Sequence, residues 1–434
     1  MVNVTVKPTN KLQGRLRAPA SKSYTQRMLI AAALSKGIGK IANPLLSEDT
    51  QATLRAITAL GAQVQEDKEH WIVRGVGKLK AGDLIDVGES GATLRFMIPI
   101  AALAEGRSTF LLSKSLERRP NEPLLASLKM LDIEAYPEQI GGQKVIVVEG
   151  KGGIAGGRTS ISGDVSSQFV SGLMFACPRA KTDTEIQITT SLESKDYVKM
   201  TQEVLSLHQV KMQISDNYDC IHIPGRQTFE QMDCRVPGDF SSAAFLLAAS
   251  AITDSNVKID NLSSETAQGD RAILEVLKHM GVNLEVYDQG VNVQGTEDGL
   301  KAIDIDAKNI PDLVPICAVL ACYAMGESKI FNAQRLRFKE SDRLATVHAE
   351  LTKMGASISM DESSLTIKGP CKLQGANINS HNDHRIAMSC TVAALRARGE
   401  TMIENAECIR KSYPSFYTDL TNIGVEIVGG KLVR

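Results

Sequence analysis

Six times along the chain, at intervals of roughly 70 to 77 residues, the same pattern returns: apolar residues at helical spacing, a halt at a small or polar residue, then an alternating strand. The segments are TLRAITALGAQVQ, LLASLKMLDIEAY, TQEVLSLHQVKMQI, ILEVLKHMGVNLEV, HAELTKMGASISM and YTDLTNIGVEIV. Their halts align at Gly61, Asp132, Gln209, Gly281, Gly355 and Gly424. A second helix recurs with the same period, opening at ASKSYTQRMLIAAAL, GESGATLRFMIPIAALA, GDVSSQFVSGLMFACP, GDFSSAAFLLAASA, IPDLVPICAVLACYA and HNDHRIAMSCTVAAL. These copies are Ala-rich and apolar nearly all round, the mark of a buried helix. Each unit of about 70 residues therefore holds two helices and several short strands, an α/β chain of three units per half.

The halves also resemble one another, since SGDVSS and PGDFSS nearly coincide and RAPASKS parallels RVPGDFS. Pro19 and Pro237 occupy equivalent places, so the chain is expected to cross between halves there. That predicts one domain over residues 21–236 and a second built from 1–20 with 237–434, the first strands lying with the C-terminal half. A length of 434 residues agrees, because a single core stops growing near about 250 to 300 residues.

Forty-nine basic residues against fifty acidic ones leave a net charge of -1, with no global positive field for nucleic acid. Aromatics are 4% of the chain, too sparse for a base-stacking platform. Eight cysteines lie scattered without a Cys-x-x-Cys, which argues against structural zinc and for free thiols in a reducing compartment. The start MVNVTVKPTN has no apolar signal core, and no stretch reaches about 18 uncharged apolar residues, so a cytoplasmic protein without membrane contact is expected.

The polar residues that need explaining lie where the buried helices begin, and such ends attract anions through unpaired amides and the helix dipole. At the first, Ser23 and Gln26 fit a Ser-x-x-Gln capping box, with Lys22 and Arg27 on the same turn. At the second, GESGATLR sets small residues before Arg95; at the third, Ser166, Ser167 and Gln168 could cap the helix or hold a phosphate. The loop LERRPNEP carries Arg118 and Arg119 between prolines that keep it extended. RLRFKESDRL gathers Arg337, Lys339, Glu340, Asp342 and Arg343, which is either a solvated ion-pair run or a site. Asp312 in NIPDLVP has an ordinary reading as a helix cap, and so do Asp383 and His384 of NDHR, which Arg385 follows. Coincidence is what these readings leave over, since cations and a few acids recur at the same position in unit after unit.

Along essentially its whole length the chain resembles the 5-enolpyruvylshikimate-3-phosphate (EPSP) synthase family. SKSYTQR resembles its opening Lys-Ser-x-x-x-Arg, SSQ its phosphate triplet and SKDY its serine and tyrosine pair, and IPD, RFKESDRL, NDHR and RKSYP follow in order. The chain departs from the family where Gly88-Glu89-Ser90-Gly91-Ala92 stands for Gly-Asn-Ala-Gly-Thr and where Arg335 replaces a more usual Asn or Glu.

The resemblance implies a two-domain inside-out α/β barrel of six βαβαββ repeats, three per domain, around buried parallel helices. It implies a transferase of the shikimate pathway that moves the enolpyruvyl group of phosphoenolpyruvate to the 5-hydroxyl of shikimate 3-phosphate, releasing phosphate, with no cofactor or metal and as a monomer. Carried over by position, Lys22, Ser23, Arg27, Ser166, Ser167, Gln168, Ser194, Tyr197, Asp312 and Lys339 would hold shikimate 3-phosphate. Lys22, Arg95, Arg119, Arg343, Arg385 and Lys411 would hold phosphoenolpyruvate. The catalytic set would be Glu340 as acid, Asp312 as base, Lys22 at the departing phosphate and His384 orienting Glu340 or the phosphate. Two such anions bring about five negative charges together, so local cations in a cleft are required whatever the net charge. Alternatives on the same fold are a UDP-N-acetylglucosamine enolpyruvyl transferase and an inactive anion-binding module. The first commonly carries a cysteine in its arginine-rich loop, and LLSKSLERRP has none. An enzyme acting on RNA ends is a third reading, against which the neutral charge counts.

Overall fold

A computed structural model describes residues 2–295 and 299–429. Residues 1, 296–298 and 430–434, all part of the expected second domain, lie outside the described ones. The fold is mixed α/β, and the chain divides into two compact units, Met1–Ser21 with Pro237–Arg434, and Lys22–Val236. Among the described residues no helix is long and apolar enough to cross a membrane.

The described strands form six sheets, each joining parallel strands to antiparallel neighbours. Ile85–Asp86 runs parallel to Glu105–Leu111 with the Gly91–Ala101 helix between them, and Gly157–Ile161 is parallel to Thr184–Ile188 across the Ser167–Ala176 helix. Parallel strands need such a crossover, which these two buried helices supply. Three sheets draw on distant sequence. Cys234–Arg235 lies parallel to Gly37–Ala42, and Lys11–Arg17 parallel to Asp254–Asp260. Val4–Val6 pairs antiparallel with Thr401–Glu404 and with Ile427–Val428.

The six halts share one backbone solution. Gly61, Asp132, Gln209, Gly281, Gly355 and Gly424 all have φ between +60° and +112°. After each, two amides fold back on the last helical turn, as where Gly61 N–H donates to Thr58 O and Ala62 N–H to Ile57 O. The paired bonds define a Schellman cap, and the apolar pair that accompanies it recurs as Leu128 with Ile133, Leu205 with Val210, Leu277 with Val282, Leu351 with Ala356 and Leu420 with Val425.

The second helix of each unit is buried on nearly every face. In Phe240–Ile252 all but Ser241 are buried, and in Val314–Tyr323 all but Tyr323. Close approach of two such helices positions the site. A Cβ on Gly172 of the Ser167–Ala176 helix would stand 2.4 Å from Arg95 O and 3.2 Å from Pro99 Cγ, so only glycine lets these helices touch. Phe96 and Phe175 then meet with ring centroids 5.7 Å apart.

Candidate active site

Within the Lys22–Val236 unit the starts of three buried helices are tied together by side chains. The expected capping box of Ser23 and Gln26 does not form, because Ser23 is already the second residue of the Lys22–Leu34 helix and Gln26 points inward. The buried Gln26 amide reaches Thr53 Oγ1 (2.9 Å), Ser90 Oγ (3.1 Å) and Thr93 Oγ1 (3.1 Å), linking the first helix start to the second. Ser90 caps that second helix through Thr93 N–H. Arg95 then joins second to third, donating to Gln168 Oε1 at 2.8 Å and Ser166 Oγ at 3.3 Å, while Pro120 O and Asn121 Oδ1 accept from its other nitrogens. Its guanidinium lies 5.0 Å over the Phe169 ring. Ser166 caps the Ser167–Ala176 helix by accepting from Gln168 N–H.

Three cations here carry different burdens. Lys22 Nζ is paired with Asp49 at 2.8 Å. Arg27 is 2% exposed, and its hydrogen bonds go to neutral oxygens of Thr201, Ser23 and Tyr197. The Phe96 and Tyr197 rings flank it. Burial pulls this guanidinium down to about 10. Arg119, also buried, has no hydrogen-bond partner at Nε or Nη2 among the described residues, and its Nη1 would lie 2.7 Å from a Cβ on Gly91. Ser194 precedes the Lys195–Leu207 helix in the left-handed region at φ +54°, and Ser167 is buried in the first turn of its own helix.

In the other unit the hub is Arg343, 1% exposed at the start of the Arg343–Lys353 helix. It donates to Asp312 (2.7 Å), Glu340 (2.6 Å) and Asp383 (2.8 Å) at once. This surrounding negative charge outweighs desolvation and holds Arg343 above the usual guanidinium range. Asp312 is not the helix cap that its position suggested. It sits inside the short turn Pro311–Leu313 and makes no capping bond; instead Arg343, Lys339 at 3.5 Å and Arg385 at 3.5 Å surround its carboxylate. Burial pushes this carboxyl up, but Arg385, Lys339 and Arg343 together pull it well below the usual range. Lys339 is pulled down to about 8 by burial, against Asp312. Asp383 does cap the His384–Ala394 helix while holding Arg343, and His384 Nδ1 lies 3.9 Å from Asp383. Lys411 Nζ donates to Asn382 O at 2.6 Å.

Sequence reasoning missed Asp49, Gln26, Asn121 and Asp270, a buried acid that feels the charges of Asp312 and Arg385, as parts of these clusters and gave Asp383 no site role. Asp383 carried a signal as the acid of NDHR, and Gln26 one that pointed to a cap instead. The others act through contacts between segments far apart in the chain.

Both clusters gather buried cations at helix starts, an arrangement for polyanionic ligands. A family model for EPSP synthase (3-phosphoshikimate 1-carboxyvinyltransferase) matches residues 6–420. A 3-phosphoshikimate 1-carboxyvinyltransferase of Methanocaldococcus jannaschii is 42% identical over 431 residues, covering 98% of this chain and 99% of that one. One of Methanococcoides burtonii is 43% identical over 420 residues, covering 96% and 97%. The solved EPSP synthase of Acinetobacter baumannii superimposes with a TM-score of 0.82 at 25% identity, covering 99% of this chain and all of that one. With a family model spanning nearly the whole chain and full-length relatives above 40% identity, the chain belongs to the EPSP synthase family.

Proposed function

We propose that the chain transfers the enolpyruvyl group of phosphoenolpyruvate to the 5-hydroxyl of shikimate 3-phosphate and releases phosphate. The observation that carries this is the pair of buried guanidiniums, Arg27 and Arg119, kept without a carboxylate partner among the described residues in a chain of this family. Uncompensated buried charge is costly, so a site that keeps it is made for an anion.

In this reading Lys22, Ser23, Arg27, Ser166, Ser167, Gln168, Ser194, Tyr197, Asp312 and Lys339 hold shikimate 3-phosphate. Lys22, Arg95, Arg119, Arg343, Arg385 and Lys411 serve phosphoenolpyruvate. Each unit would then be three βαβαββ repeats around buried parallel helices, a reading supported by the six like-capped halts and six sheets.

The reaction needs a proton on the methylene carbon of phosphoenolpyruvate and removal of one from the attacking hydroxyl. In the free protein Asp312 is a weak base because three cations hold its charge. Substrate anions that engage Lys339 and Arg385 would compete for those cations and raise its proton affinity, as they would that of Glu340. Glu340 then protonates the methylene, and the 5-hydroxyl attacks the adjacent carbon as Asp312 takes its proton. From the tetrahedral ketal, phosphate leaves beside Lys22 while Glu340 recovers a methyl proton, giving the enolpyruvyl ether. His384 orients Glu340 or the phosphate in this reading.

The test is phosphate release on mixing protein with both substrates, each also supplied alone. Release only with both, alongside an enolpyruvyl product, supports the proposal. No release with shikimate 3-phosphate but release with UDP-N-acetylglucosamine would replace it with the sister activity, and binding without turnover would leave an inactive anion module.

A further inference from the structure

Among eight free cysteines, two that are distant in sequence meet outside both clusters. Cys322 lies in the last turn of the buried Val314–Tyr323 helix, and Cys371 follows the strand Leu365–Gly369. Cys371 N–H donates to Cys322 O at 2.6 Å. Standard bond lengths around that contact limit the Cα separation to about 6.5 Å. Disulfides span about 4.4 to 6.8 Å between Cα atoms, so the backbone already stands within bridging distance. The two thiols are also near enough to act on each other electrostatically.

Their exposures differ in a useful way. Cys322 is 0% exposed, whereas Cys371 is only half-buried and open to small solutes. The Cys371 sulfur accepts from Ser357 N–H at 3.4 Å, and in the thiol form it donates to Lys368 O at 3.3 Å. We propose that Cys371 and Cys322 form a peroxide-reactive dithiol that closes to an intramolecular disulfide, with Cys371 attacking and Cys322 resolving. The neighbouring Cys322 thiol pulls the Cys371 thiol down to about 6, with burial pushing back and the Ser357 amide assisting, which favours the thiolate that attacks.

The chemistry balances with a peroxide as oxidant. The Cys371 thiolate attacks one peroxide oxygen, the O–O bond breaks, and a sulfenic acid and hydroxide result. The Cys322 sulfur then attacks the Cys371 sulfur, the S–O bond breaks, and the thiol proton leaves with the departing hydroxide as water. The pair loses two electrons and the peroxide gains them. The staple would fasten the C-terminal end of the helix that begins just after Asp312.

The experiment treats the reduced full chain with hydrogen peroxide near neutral pH, with and without dimedone, and maps cysteines by mass spectrometry. The expected result is a Cys322–Cys371 cross-link with a loss of about 2 Da, reversed by dithiothreitol, and dimedone capture at Cys371. Cys371→Ser should abolish the cross-link, and Cys234→Ser should leave it unchanged. Sulfinic acid at Cys371 without a cross-link would overturn the proposal. So would a bridge from Cys322 to Cys390, which also lies near it, or labelling of Cys371 no faster than that of the similarly half-buried Cys220.

Discussion

A guanidinium held out of water beside neutral oxygens, like Arg27, or with nitrogens lacking a partner among the described residues, like Arg119, weakens the fold unless a ligand repays it. Arg119 depends on an absence, because the missing side chain of Gly91 leaves room for its Nη1. In Gly91→Ala the added methyl would displace the end of a flexible side chain rather than backbone, so the fold should persist. We expect KM for phosphoenolpyruvate to rise about tenfold with the melting temperature unchanged, a loss of about 1.4 kcal/mol in binding. An unchanged KM would separate Arg119 from that substrate. Glu340 poses a different question, since Arg343 keeps Asp312 and Asp383 if Glu340 is neutralised. Glu340→Gln should therefore lower kcat by about 10² or more while the affinity for shikimate 3-phosphate stays the same. Undiminished turnover would remove Glu340 from proton transfer. Motif reading located these residues but not their company. Ser23 and Gln26 have the spacing of a capping box, yet Gln26 serves as a bridge between helix starts, a role defined by residues as distant as Thr93.

Among the repeating elements, the helix stop was the most legible from sequence, because its cause is local. A left-handed residue, two returning amides and an apolar pair are encoded within one turn, which is why all six halts share them. Where the halt is Gln209 or Asp132, a side chain occupies a conformation that glycine adopts without strain. Opposite substitutions should thus have opposite signs. Gly281→Ala, at φ +89°, is expected to destabilise by about 1 kcal/mol, and Gln209→Gly, at φ +61°, to stabilise by up to about 1 kcal/mol. Urea unfolding of both variants checks this, and a gain from Gly281→Ala would mean that the cap does not govern the turn. Sheet partners were harder to read. The pairing of Cys234–Arg235 with Gly37–Ala42 brings together two short segments separated by most of a unit, and no periodicity in either specifies the other.

Across the whole molecule, stability is coupled to the charge of one buried acid that no motif announced. Asp270 is 3% exposed and accepts a hydrogen bond from the Ser241 hydroxyl. Burial first, then the neighbouring Asp312, raise its carboxyl to about 7, while Arg385 and Ser241 pull it down and Asp239 adds a smaller upward push. Between pH 4 and 7, then, the unfolded chain releases this proton and the folded chain keeps it. The unfolded state binds fewer protons over that window, so this group's contribution to stability falls as pH rises through it and is constant above about 7. Asn mimics the protonated acid and has no such dependence. The stability of Asp270→Asn relative to the natural chain should accordingly grow from pH 4 to 7 by a few kcal/mol at most, then level off. Urea unfolding of both proteins across that range gives the difference directly. A constant difference would mean that Asp270 folds as an ordinary ionised carboxylate. A difference that shrinks with pH would mean that Arg385 holds it as an ion pair, in which case the cation would be shared between Asp270 and Asp312 before any substrate arrives.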